Sequence, residues 1–137
     1  MGFIRALVDD MTSKTRWMRR AAGVSTVRLL CHEDTWAALQ ALPSALVHTP
    51  DHRRIEATEE RITARENGML EIVLSGPQIV RILQVTSHNS KNGSPEEQAI
   101  AERTYIGFGS VLDTVGSHHS TEEIPPVILD DRPQAPA

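Results

Sequence analysis

The chain has 137 residues, 39% hydrophobic and 23% charged, enough for one modest core and too short for two ordinary domains. With only 8 glycines and 8 prolines, it is neither fibrous nor wholly disordered. The net charge of -4 is unevenly placed: residues 1–30 carry a surplus of +4 and the remainder -8, which points to a local binding surface at the N-terminal end and against general coating of nucleic acid.

The apolar runs fall far short of the ~20 residues that span a bilayer, so no membrane span is expected. Arg5, Asp9 and Asp10 leave no apolar stretch for a secretory signal, and Ala6 stands where a myristoylation signal requires Ser or Thr. The expected setting is the cytoplasm, or a virion if the chain is phage-encoded. Of 14 basic residues all but Lys14 and Lys91 are Arg, a bias that GC-rich coding produces, which suggests a bacterial or phage source. Cys31 is the single cysteine; it excludes an internal disulfide or a cysteine zinc knuckle and reads as core.

In residues 3–22, Ile4, Leu7, Val8, Met11, Met18 and Ala22 recur at helical spacing against Arg5, Arg16, Arg19 and Arg20. This predicts an amphipathic basic helix over 1–23 that ends at Gly23, with Thr12-Ser13 a point where it could break. Val24 to Cys31 reads as a strand. Asp34 or Thr35 then caps a short helix whose apolar side is Trp36, Leu39 and Leu42, with Pro43 at its end. Residues 43–52 read as a connection.

The stretch 53–66 has two readings. Ile55, Ile62 and Met69 recur every seven residues, as in a helix ending at Asn67-Gly68; alternatively Asn67-Gly68 is a hairpin turn feeding a strand from Met69. The sheet reading, with strands near 53–58, 61–66 and 69–74, is preferred. Ser75 with Gln78, and Ser94 with Glu97, match the capping box and start two further helices. The first is expected over 76–86 and to fail by Ser87-His88-Asn89, leaving a loop over 88–93. The second runs over 95–115, with Ile100, Phe108, Val111, Leu112 and Val115 on one face. Gly107 and Gly109 inside it each cost about 1 kcal/mol relative to Ala, which implies a close contact or a kink there. Residues 117–137 read as an acidic, proline-containing tail with one apolar patch, Ile124, Val127, Ile128 and Leu129, fit to lie along a sheet edge or a partner.

Leu74-Ser75-Gly76-Pro77-Gln78 resembles the signature loop of ABC-transporter ATPases, with Pro77 in place of a second glycine. The resemblance covers five residues, and neither lysine follows a glycine as a P-loop requires, so the segment reads as a helix cap. Gly107-Phe108-Gly109 lacks the third glycine of a dinucleotide fingerprint. His48 and His52 stand four apart, but Pro50 between them breaks the helix that would join them on a metal. His118-His119 adjoins the polar tail. No metal site, cofactor or catalytic residue is assigned.

The expected architecture is α+β: a small antiparallel sheet covered on one face by two helices within 24–116, preceded by the 1–23 helix and followed by the 117–137 tail. The expected function is a non-enzymatic protein-interaction or assembly component of a bacterial or phage complex. Its candidate partner-binding residues are Phe3, Arg5, Arg16, Trp17, Arg19 and Arg20 at one end and Ile124, Val127, Ile128 and Leu129 at the other. One alternative is an enzyme or enzyme subunit with a site at His32-Glu33-Asp34, since strand ends often carry functional side chains. Another is a nucleic-acid-linked regulator acting through residues 1–22, although 4% aromatic content offers little for base stacking.

Overall fold

A computed structural model describes residues 15–24, 26–43, 55–115 and 124–129. Helix α1 covers residues 15–23, strand β1 Thr26–His32 and helix α2 Glu33–Gln40. Strand β2, Ile62–Ala64, leads through a tight turn to β3, Met69–Ser75. Two long helices follow, α3 (Gly76–Asn92) and α4 (Pro95–Val115), and then β4 (Val127–Leu129). The chain is α+β, with the sheet order β2-β3-β1-β4. The expected antiparallel sheet is present as β2, β3 and β1. The tail adds β4 parallel to β1, with Leu29 opposite Val127 and Cys31 opposite Leu129, so the whole sheet is mixed.

Alternation along the strands decides which side is core. Val27, Leu29 and Cys31 of β1, Ile72 and Leu74 of β3, and Val127 and Leu129 of β4 are all buried, and the register lines them up on one face. Onto that face pack Ile79, Ile82 and Leu83 of α3 and Phe108 and Leu112 of α4. Trp36 and Leu39 of α2, with Leu42 just after it, close one side of the core, as their spacing predicted. The opposite face carries Arg28, Leu30, Val73 and Glu71, all half-buried.

Helix starts follow local chemistry closely. At α3 the Ser75 hydroxyl accepts from the Gln78 backbone N–H while the Gln78 side chain accepts from the Ser75 N–H, a reciprocal cap. Ser94 and Glu97 do the same before α4, at 2.9 and 3.3 Å. Hydrogen bonding of its carboxylate to Ser94, the backbone N–H first and the side-chain hydroxyl second, holds the Glu97 carboxyl below its ordinary range.

Three expectations are corrected. Helix α3 does not stop at Ser87 but continues to Asn92. Its polar residues bond back to the helix's own carbonyls: Thr86 to Ile82 at 2.6 Å, Asn89 to Val85 at 2.8 Å and Ser90 to Ser87 at 2.8 Å. Asn89 also donates to the Pro43 carbonyl at 2.9 Å, which ties α3 to the end of the α2 segment. Second, residues 55–58 are not strand, a short 3-10 turn occupies Glu59–Arg61, and β2 has only three residues. Third, the cap of α2 is His32, not Asp34 or Thr35. A hairpin turn does stand at Asn67-Gly68, with left-handed φ of +60° and +76° at the two residues, but Arg65 pairs with Met69, so the loop also takes in Glu66 and is not the two-residue turn. The expected positions His48, His52, His118 and His119, and the first part of the N-terminal helix, lie outside the described residues.

Cys31 is fully buried, and burial pushes its thiol from the ordinary 9.0 to about 11. The sign of the resulting pH dependence follows from proton counting. Between 9.0 and about 11 the unfolded chain has lost the proton and the folded chain keeps it, so stability falls as pH rises through that window. A thiol-specific chromophore added at neutral pH is expected to react with Cys31 only when denaturant unfolds the chain. Prompt stoichiometric labelling of the native protein would refute the assigned burial.

Candidate functional site

Two surface regions and one strand end gather the chemistry-bearing residues. At the strand end, the Asp34 backbone N–H donates to His32 Nδ1 at 3.1 Å, which caps α2. As an acceptor Nδ1 carries no proton, so the 3.4 Å approach of Asp34 Oδ2 is proximity and not an ion pair in that tautomer. The other side of the ring lies against Gly68, where an added Cβ would stand 2.6 Å from Nε2. His32 thus braces the β2–β3 turn as well as starting α2. Among the described residues no three His, Cys, Asp or Glu side chains form a metal-holding group.

On the open face of the sheet Glu71 lies between two arginines. Arg65 hydrogen-bonds it from the β2–β3 turn, and Arg28 of β1 approaches its other carboxylate oxygen at 3.3 Å. The Arg65 bond is the strongest influence on the Glu71 carboxyl and Arg28 adds to it; together they outweigh partial burial and hold its pKa below the ordinary carboxylate range. The side chain is 13% exposed, so the pair Arg65 and Arg28 satisfies a charge that would otherwise be costly to cover.

The N-terminal arginines engage α4 of the same chain. Asp113 Oδ1 accepts from Trp17 Nε1 at 2.9 Å and from Arg20 Nη1 at 3.1 Å, and Arg16 Nη2 lies 3.3 Å away. Arg20 also donates to the Leu112 carbonyl at 3.3 Å. That carbonyl belongs to the last turn of α4, which has no basic residue of its own; the cation from α1 complements the negative end of the helix dipole. The Trp17 ring meets Tyr105 edge-on at 5.0 Å and covers Gly109, where an added Cβ would lie 2.4 Å from the indole.

Of the candidate contact residues, Arg16, Trp17 and Arg20 therefore converge on Asp113, Arg19 is exposed, and Phe3 and Arg5 lie outside the described residues. In the tail, Val127 and Leu129 are buried in the chain's own core and Ile124 packs beside it, whereas Ile128 is 59% exposed. Ile128 lies on the edge strand of the sheet. Next to it, between β4 and α4, runs a groove of about 400 Å³ lined by Ala99, Glu102, Arg103, Ile106, Ile128 and Leu129. Gly107 forms its base: an added Cβ there would be 3.2 Å from Leu129 and 3.4 Å from Val127. The missing side chain lets α4 lie close on β4.

Ile106 is 52% exposed, and with Ile128 it is one of the two strongly exposed large hydrophobics among the described residues. Sequence reasoning missed it. The signal was its phase: Ile106 precedes the buried Phe108 by two residues, about 200° around the helix, so it faces away from the core. No helix among the described residues is long and apolar enough to cross a membrane. Comparison with family models, with characterised proteins and with solved structures finds no match for the chain.

Proposed function

We propose that this chain is a non-enzymatic protein-interaction or assembly component of a bacterial or phage complex, and that it meets its partner along the α4–β4 edge. The observation that carries the reading is the placing of Ile106 and Ile128 on one groove, at 52% and 59% exposure. Large apolar side chains gathered on one surface feature mark contact sites more often than isolated ones do. The edge position of β4 adds backbone groups on its outer side, the template on which an incoming chain can pair. The tail contributes to the contact through Ile128, and the N-terminal helix through its exposed Arg19 and through the preceding residues Phe3 and Arg5.

The two alternatives have less behind them. His32 already serves as a cap and a brace, and the Arg16 and Arg20 that a nucleic acid would need are turned onto Asp113.

A photo-crosslinking amino acid at 106 or at 128, in cells producing the full chain, is expected to yield a protein adduct of defined mass. The same group at exposed Gln84 on α3 serves as control and is expected to yield none. Absence of adducts at both 106 and 128, or equal labelling at 84, would overturn the proposal.

A further inference from the structure

Ala99, Glu102, Arg103 and Ile106 stand at i, i+3, i+4 and i+7 on α4 and form one strip. All four are exposed, and the strip is the α4 wall of the groove that Ile128 and Leu129 complete.

The order of residues along this strip is self-complementary about the point midway between positions 102 and 103. Two copies of α4 laid antiparallel about a twofold axis through that point set Ile106 of each against Ala99 of the other, a large side chain against a small one. The same operation sets Glu102 of each against Arg103 of the other. An isologous interface repeats every contact twice, so one strip supplies two apolar contacts and two ion pairs. A parallel arrangement would set Glu102 beside Glu102 and Arg103 beside Arg103, which like-charge repulsion disfavours.

From this pattern we infer that the occupant of the α4–β4 groove is a second copy of this chain, docked antiparallel through α4. The inference rests on the reading of the groove as a contact surface and names what fills it. Asp113, which holds Trp17 and Arg20, follows Ile106 by two helical turns on the same face of α4, so α1 flanks the end of the strip.

The charge pattern supplies its own test. Light scattering of the purified full-length chain across a concentration series is expected to show a dimer. Glu102→Arg faces two arginines with two arginines, and Arg103→Glu faces two glutamates with two glutamates, so each variant alone is expected to weaken dimerisation about tenfold or more. An equimolar mixture of the two variants brings opposite charges together again and is expected to recover the dimer, as is the double variant Glu102→Arg/Arg103→Glu. Far-ultraviolet circular dichroism of each variant should match the parent, because both side chains are exposed.

Single variants that dimerise like the parent, or a mixture that stays monomeric, would overturn the inference. A monomeric parent whose crosslinkers at 106 and 128 capture a different protein would also overturn it, while leaving the interaction reading intact. A monomer with no adducts would remove both.

Discussion

Phe108→Ala is expected to lower the free energy of unfolding by about 3–5 kcal/mol, the range for deleting a buried aromatic ring. The ring is 1% exposed and heads the fully buried side chains by volume. It lies on the face of α4 that meets the sheet, in the same cluster as Leu29, Ile79 and Leu112, so its loss removes apolar burial and leaves a cavity that surrounding helices cannot close without moving. Small domains have only about 5–15 kcal/mol in total, so the variant sits near the edge of folding at room temperature. Ile106→Ala, two residues away on the opposite side of the same helix, is the internal comparison. Its side chain is half-exposed in the groove, and at concentrations dilute enough to keep the chain monomeric its stability is expected to change by less than about 0.5 kcal/mol. Urea unfolding followed by circular dichroism measures both. Equal losses in the two variants would show that the orientation of α4 is wrong.

Gly76→Ala is the second large effect, and its sign is the informative part. Gly76 is the first residue of α3, a position where Ala ordinarily stabilises a helix by up to about 1 kcal/mol over Gly. Here an added Cβ would stand 2.4 Å from the Ala21 carbonyl oxygen and 2.7 Å from that of Val24. Both atoms are backbone, in the segment that leads from α1 into β1, and Ala21 is itself fully buried. Neither can swing aside as a side chain would. The expected result is a loss of about 1–3 kcal/mol, as for other overpacked sites. Gly23→Ala is the control, since nothing lies within 4 Å of the new Cβ, and it is expected to be neutral or slightly stabilising. If Gly76→Ala instead raised the melting temperature, α1 and α3 could not approach as closely as they do here.

The mutation pairs also show where the sequence is informative about structure. Helix starts were legible because a cap is local: Ser75 with Gln78, and Ser94 with Glu97, satisfy orphan backbone groups within four residues. Gly107 and Gly109 were legible as close contacts because a helix interior tolerates glycine only at a cost, and each proves to lie under another element, β4 and Trp17 respectively. The end of α3 was not legible. Ser87, Asn89 and Ser90 disfavour helix in isolation, and it is burial among neighbours, with side chains turned back to the helix carbonyls, that carries the helix on to Asn92.

The site divides in the same way. Ile128 was identifiable as apolar within an acidic, proline-flanked tail, and α4 as an amphipathic helix. Nothing in a linear reading could place the two on one groove, because they are separated by more than a helical length of chain and meet only when β4 pairs in parallel with β1. The charge partners of the N-terminal arginines were hidden for the same reason. Trp17, Arg16 and Arg20 meet Asp113 across more than 90 residues, and such a contact leaves no periodicity in the sequence.

By itself, then, the sequence determined the α+β class, the caps of α3 and α4, the Asn67-Gly68 turn and the buried apolar set of α2. These depend on hydrogen bonds and spacings that close within one turn or one strand. Only the tertiary structure decided that the tail supplies an edge strand, that α1 is held by Asp113, and that Ile106 and Ile128 share an exposed groove. Those outcomes depend on which distant surfaces bury the most apolar area together, and that competition is settled across the whole chain at once.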